Sequence, residues 1–548
     1  MSAADPQMRW WGWGEPDHPV GVSDAGAALL REELGLADGP ESPPPRLEDL
    51  TLDPPALPGD TDAALRAAVG DQNVQTDDLT RVRRAAGRSY PDLVRLRAGG
   101  SLPVPDAVVV PGTEQEVAAV LGVCGSAGVA VVPFGGGTSV VGGLDPSKDG
   151  FEAAIALDLR RLDGLSVDRR SLTATMGGGL TGRRAEARLQ ARGLTLGHFP
   201  QSYEFATIGG YVATRSAGQA STGYGRIDEL VRGARMIAPA GELVVRPVPA
   251  SAAGPALREL VVGSEGALGA IVEATLEVAP LPDVRRYEGW SFRGFAEGAE
   301  AFRAMEQANA APDVARLSDE EETRLAMAMS SRGTALERVG RGYLKVRGHA
   351  GGCLVIAGWE GDEAAVARRR AASTRILRAG GGIPLGSRPG RAWLRTRYLG
   401  PYLRDVMLGR GMLTEALETA TTWSRLEGLH RAVGAALRDA LGERGTPALV
   451  ACHVSHLYRT GASLYFTFLA RAQRGQELDQ WRAAKSAACQ AIVDNGGTLT
   501  HHHAIGHDHV PWMRAEVGDL GLEVLRAAKE RLDPRGIMNP GKLLPPSP

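Results

Sequence analysis

The sequence predicts an α+β fold of several domains, and three observations predict it. Residues 107–132 read as strand, helix, strand. Past Pro280 the texture shifts to longer helices alternating with strands. The chain has 548 residues, and at roughly 100–200 residues per domain that gives about three or four units. The organising stretch is Val131-Val132-Pro133-Phe134-Gly135-Gly136-Gly137-Thr138-Ser139, at the end of the second strand. Glycines in such a turn gather bare N–H groups into a nest that suits a phosphate or pyrophosphate. A plain flexible turn is the competing reading. The stretch has neither the Gly-Lys-Ser/Thr of a phosphate loop nor G-x-G-x-x-G spacing.

Residues 1–100 form a partly helical N-terminal extension. Arg9-Trp10-Trp11-Gly12-Trp13-Gly14 reads as a packing motif, and the prolines at 43–45 and 54–55 mark linker. Residues 76–84 look helical, and Gly87–Asp92 looks like an exit loop. Arg81, Arg83, Arg84 and Arg88 read as a solvated basic face. A second unit covers 101–282. Ala107–Val110 is a buried strand, and Thr113 and Glu116 form a capping box for a helix to Gly125. Val129–Val132 and Ala153–Leu157 are strands, and Gly182–Arg192 is a helix. Two more segments rich in glycine or hydroxyl groups follow. One is Gln201-Ser202-Tyr203-Glu204-Phe205-Ala206-Thr207-Ile208-Gly209-Gly210, continuing to Thr214-Arg215-Ser216-Ala217. The other is Glu265-Gly266-Ala267-Leu268-Gly269-Ala270-Ile271. One long cofactor needs several such close backbone approaches, separated in sequence. A third unit covers 283–494, with helices at Phe295–Ala308 and Glu363–Arg378 and a strand at Cys353–Ala357. Residues 495–548 form a C-terminal segment.

Composition narrows the classes. Basic and acidic residues number 62 and 64, without the basic excess of a nucleic-acid protein. The four cysteines form no C-x-x-C pair, which disfavours zinc knuckles and disulfides. The polar, tryptophan-rich start does not read as a signal peptide. No apolar run reaches about 18 residues, so no membrane span is expected. A cytoplasmic protein is the default.

Two constellations carry chemistry. His501-His502-His503 admits a metal site, a packing or surface role, or a catalytic one. Neighbouring histidines on a strand point to opposite faces, which disfavours a shared ion, and no metal is expected. Tyr458 sits in a turn between two strands, where a lone tyrosine more often packs with a wet tip.

The three glycine-rich segments resemble the FAD-contacting segments of the vanillyl-alcohol oxidase / p-cresol methylhydroxylase flavoprotein fold. Within that fold the chain resembles the alkyldihydroxyacetonephosphate synthase family. The carriers are Arg9–Gly14, Ile208-Gly209-Gly210-Tyr211-Val212-Ala213-Thr214-Arg215 and His501-His502-His503-Ala504-Ile505-Gly506. The resemblance implies a two-part FAD-binding domain at 101–282 and an α+β cap at 283–494. It implies exchange of the acyl group of acyl-dihydroxyacetone phosphate for a fatty alcohol, with no net redox change. Tyr458 is then the acid/base, and His501, His502, His503 and Arg316 serve activity. Arg404 binds the substrate phosphate, with Arg397 as competitor. No histidine lies between Pro133 and Leu144, so FAD is expected to be non-covalent. A homodimer with peripheral membrane contact is also expected.

One departure points elsewhere. Asp533-Pro534-Arg535-Gly536-Ile537-Met538-Asn539-Pro540-Gly541-Lys542 resembles the ending of flavin-dependent 2-hydroxy-acid oxidases and dehydrogenases. An FAD-dependent oxidoreductase of a 2-hydroxy acid or alcohol is therefore the alternative. The ending Pro545-Pro546-Ser547-Pro548 is not a Ser-Lys-Leu peroxisomal signal.

Overall fold

The computed structural model describes residues 7–545 except 17, 19, 37–40, 147, 149 and 332. The last three residues, read above for a targeting signal, lie outside the described residues. Three sheets position the site. The first has four strands in the order Val74–Gln75, Ala107–Val109, Ala153–Asp158, Val129–Phe134. Its last three strands are parallel, joined through the Glu114–Ala127 helix. The two central strands, Ala107–Val109 and Ala153–Asp158, are buried along their whole length because both faces are covered. Thr113 caps the helix through Glu116 N, as expected, but the Glu116 carboxylate accepts from Gly112 N instead of closing the box.

The second sheet is antiparallel, in the order Gly241–Val245, Val231–Ala238, Ala270–Glu277, Thr173–Gly177, Leu165–Asp168. The third is the largest. Its main path runs Ile383–Gly386, Val284–Phe292, Cys353–Gly361, Val314–Ser318, Ala448–Val454, Gly461–Arg471, Met412–Thr422, with Leu457–Tyr458 paired onto Gly461–Arg471. Helices Phe295–Gln307, Glu363–Ala379 and Trp423–Glu443 bury its apolar face, with Trp290, Phe292, Phe466 and Phe468 at the core. Among the described residues, no helix is long and apolar enough to cross a membrane.

The N-terminal tryptophans are structural. Trp10 packs with Val82, Leu96 and Leu102, and Trp13 packs edge-on to Phe205. The expected exit loop at Gly87–Asp92 is instead a helix start. Ser89 and Asp92 form a capping box for Tyr90–Ala98, and Pro91 fits the first turn, where its missing N–H costs nothing. Arg81 and Arg88 are buried rather than solvated. Arg88 donates to the carbonyls of Arg9, Gly12 and Gly87, tying the tryptophan loop down.

The C-terminal segment returns to the first sheet. Val131 N donates to Ile537 O, and Asn539 N donates back to Val131 O, both at 2.8 Å. Asn539 Nδ2 donates to the Glu265 carbonyl, and Lys529 Nζ reaches Asp533, Ala267 O and Met538 O. The Asp533–Lys542 motif is thus spent on closing the edge of the nucleotide-side sheet.

Candidate active site

A cavity of about 630 Å³ lies between the glycine turns and the large sheet. One wall is Pro133, Phe134, Gly135, Gly136, Gly137, Thr138 and Ser139. A Cβ on Gly136 would overlap the Phe205 carbonyl, and Gly137 holds φ +69°. Small residues are therefore required at both positions. The backbone N–H groups of Gly136 to Val140 donate no hydrogen bond within the described chain. They form the nest read from the sequence, and a pyrophosphate fits it. Gln201, Ser202, Ala206, Thr207, Gly209, Gly210, Thr214, Ser216, Ala217, Glu265, Gly266, Gly269 and Ile271 continue the wall.

Other members of those segments do not line this cavity, because neighbouring residues in a turn face opposite ways. Tyr203 stacks on Tyr398. Glu204 accepts from Tyr402, and with Phe205 it borders a small adjoining cavity. Arg215 pairs with Glu259 and Asp228. Ala267, Leu268 and Ala270 are buried in packing. Glu265 accepts from Ile505 N at 2.8 Å and Gly506 N at 2.6 Å, clamping the third turn to the chain after the histidines. Burial pushes its carboxyl up to about 7, although the two N–H groups work against that.

The opposite wall brings the expected catalytic residues together. Residues 501–503 are bends, not a strand, so their side chains do not alternate between faces. Glu418 causes this. From the middle of the Met412–Thr422 strand its carboxylate accepts from His501 N, His502 N and His503 N at 2.6–2.9 Å, and from Thr500 Oγ1 at 2.6 Å. Burial alone would raise the Glu418 carboxyl, but the imidazoles and Thr500 hold it well below the usual range. Burial pushes His501 and His456 well down and His503 down to about 3, and lowers His502. The four donors around Glu418 therefore keep its charge in place.

Tyr458 OH meets His501 Nε2 at 2.5 Å. Burial pushes the phenol up to about 12, against a hydrogen bond from the Arg226 guanidinium. His456, His502 and His503 line the cavity, with Tyr458 and His501 beside them. Arg316 lines the cavity and donates to Glu322 at 2.8 Å, with His453 against the same guanidinium. Burial raises the Glu322 carboxyl, but Arg316 and His453 bring it down to about 2. Arg404 lines the cavity as well. Its Nη1 donates to Arg88 O at 2.7 Å, while its buried Nε and Nη2 have no hydrogen-bond partner. Arg397 is spent on the rings of Phe199, Trp393 and Tyr398. Leu325, Met329, Met407 and Leu469 give the cavity an apolar end.

A family described as FAD binding domain matches residues 105–245, and one described as FAD linked oxidases, C-terminal domain, matches 281–543. An alkyldihydroxyacetonephosphate synthase of Dictyostelium discoideum is 32% identical, over 98% of this chain and 94% of that protein. The chain belongs to the alkyldihydroxyacetonephosphate synthase family. A second such synthase, from Trypanosoma brucei brucei, is 35% identical over 91% of this chain and 82% of its own length. A solved alkyldihydroxyacetonephosphate synthase matches with a TM-score of 0.85 at 29% identity, covering 98% of this chain and 99% of that one. p-Cresol methylhydroxylase, at 15% identity and a TM-score of 0.65, covers 89% of this chain and 98% of its own and shares the fold. FAD is the cofactor of this synthase-family chain, and the nest of unbonded N–H groups suits its pyrophosphate.

Sequence reasoning missed Glu418, Arg226, His456 and Ser221. Glu418 had a signal: with Glu415 it is one of two carboxylates in an otherwise apolar or hydroxyl-bearing strand, and both are buried. Arg226 and Ser221 lie in short turns with no pattern to mark them.

Proposed function

We propose that the chain exchanges the acyl group of acyl-dihydroxyacetone phosphate for a fatty alcohol, with no net redox change. One observation carries this: a single cavity joins the dinucleotide nest, the partly hydrogen-bonded guanidinium of Arg404 and an apolar end. Arg404 offers Nε and Nη2, neither of them hydrogen-bonded, to the substrate phosphate, with Asp405 Oδ1 3.9 Å from Nη2, and a guanidinium fork suits phosphate geometry. Arg316, held by Glu322, adds positive charge nearby. Leu325, Met329, Met407 and Leu469 suit a long alkyl chain. Tyr458, flanked by Arg226 and His501, takes the proton from the carbon beside the substrate carbonyl. The imidazoles of His502 and His503 orient substrate oxygens. An electrophile that holds the substrate carbon during the exchange is the chemistry FAD supplies when bound. No histidine or cysteine lies in the Pro133–Leu144 turn, which supports dissociable FAD.

The lipid reading extends to the surface. Among the described residues of the Ala335–Val346 helix, none is buried. Val339, Tyr343 and Val346 are exposed along one apolar stripe, with Arg338, Arg341 and Lys345 on its flank. A peripheral contact with anionic lipid suits this helix.

The test is to incubate the flavoprotein with acyl-dihydroxyacetone phosphate and an oxygen-labelled long-chain alcohol. An ether that carries the alcohol's oxygen, with flavin absorbance back at its oxidised level once the substrates are consumed under anaerobic conditions, is expected. Bleaching of the flavin by a 2-hydroxy acid, without ether formation, would transfer the assignment to an oxidoreductase.

A further inference from the structure

We propose that His456, His501 and His502 form a binding site for a borderline divalent cation such as Zn²⁺. One ligand nitrogen from each imidazole lies within 4.8 Å of the other two. The three come from two chain segments. His456 stands in the turn before Leu457–Tyr458, and His501 and His502 stand in the bends that Glu418 shapes. His456 Nδ1 is engaged by Ser221 Oγ at 2.5 Å, which fixes the ring and leaves Nε2 for a ligand. His501 Nε2 is engaged by Tyr458, which turns Nδ1 toward His502 Nδ1, 2.9 Å away.

These second contacts are the kind that orient metal-binding imidazoles. A tetrahedral zinc with Zn–N bonds of about 2.0–2.1 Å sets its nitrogens about 3.3 Å apart. The His501–His502 pair therefore needs to open by only about 0.4 Å. Glu418 supplies negative charge behind the rings, with a carboxylate oxygen 3.5 Å from His502 Nδ1 and 3.9 Å from His501 Nδ1. Arg226 bears on the same three imidazoles and works against the ion. An all-imidazole set favours Zn²⁺, Cu²⁺ or Ni²⁺ over Mg²⁺ and Ca²⁺. His456 and His502 line the main cavity, which gives an ion its path.

The test is equilibrium dialysis of the FAD-loaded full chain against Zn²⁺ and, separately, Mg²⁺. Saturable uptake of one Zn²⁺ per chain and no Mg²⁺ is expected. His502→Asn and His456→Asn should each abolish the uptake while keeping the flavin spectrum. His507→Asn, which removes an exposed imidazole, should leave it intact. Co²⁺ gives a second readout: ligand-field bands of a nitrogen-ligated tetrahedral ion in the parent chain and none in His502→Asn. Absence of saturable Zn²⁺ uptake overturns the proposal. So does uptake that survives both His502→Asn and His456→Asn, or uptake lost in His507→Asn alone. None of these readouts depends on which reaction the enzyme performs.

Discussion

Replacing Glu418 by glutamine isolates the device that shapes the histidine loop. The parent carboxylate receives four donors. Oε1 takes Thr500 Oγ1, His502 N and His503 N, and Oε2 takes His501 N. A glutamine keeps three of them by placing its carbonyl oxygen at the Oε1 position. Its amide NH₂ then faces the His501 N–H, donor against donor. One charge-assisted bond is lost, worth about 1.5–3 kcal/mol, and one buried donor is stranded at a further cost of about 1–3 kcal/mol. The loop avoids part of this cost of about 2.5–6 kcal/mol by moving His501 away. His501 is bonded to Tyr458, so the phenol moves too. A misplacement near 1 Å costs on the order of a hundredfold in rate. The assay is ether formation at saturating substrates, with flavin content read from the visible spectrum. A kcat lowered about a hundredfold, with KM and flavin content little changed, is expected. A Glu418→Gln enzyme that keeps kcat within about a factor of two would refute the reasoning.

Four further expectations follow from the same geometry. Tyr458→Phe should lower kcat by about 10²–10⁴-fold while leaving the flavin spectrum intact, and an unchanged rate would remove the phenol from the chemistry. Arg404→Ala should raise KM for the phosphorylated substrate about 10–100-fold, the loss of charge-assisted bonds worth about 1.5–3 kcal/mol; an unchanged KM with lowered kcat would contradict a binding role. Burial raises the Glu265 carboxyl to about 7 from an ordinary 4.5, so its contribution to stability is complete below that ordinary value. It is lost as pH rises to about 7, by up to about 3 kcal/mol; melting curves at pH 5 and pH 8 should show this fall, Glu265→Gln should flatten it, and a slope of opposite sign would contradict the placement. Val339→Asp with Val346→Asp should reduce co-sedimentation with anionic vesicles, and an undiminished pellet would clear the Ala335–Val346 helix of that role.

The sequence made the nucleotide side legible because its requirements are local. A run of glycines after an apolar strand announces a nest, and a Thr-x-x-Glu signal announces the next helix. Even there, contiguous stretches overstated the contacts, since Tyr203 and Leu268 turn into packing. The helix at Tyr90 was missed although Ser89 and Asp92 carry its box, because Gly87–Asp92 was read as an exit loop, whereas Pro91 sits in a first turn. The bends of the histidine loop were not legible for a different reason. Its shape is imposed by Glu418, more than 80 residues earlier in the chain, and no local pattern encodes a long-range partner. Arg226 beside Tyr458 is hidden in the same way.

The exchange of backbone hydrogen bonds between Val131 and the Ile537–Asn539 segment has a consequence for synthesis. The two partners leave the ribosome more than 400 residues apart. At about 5–20 residues per second, the strand carrying the nest waits on the order of 20–80 s for its outer neighbour. During that interval the nascent domain has an open flank where its last partner belongs. Stable capture of the flavin is therefore a late event, and ribosome-stalled chains ending before residue 530 should retain none.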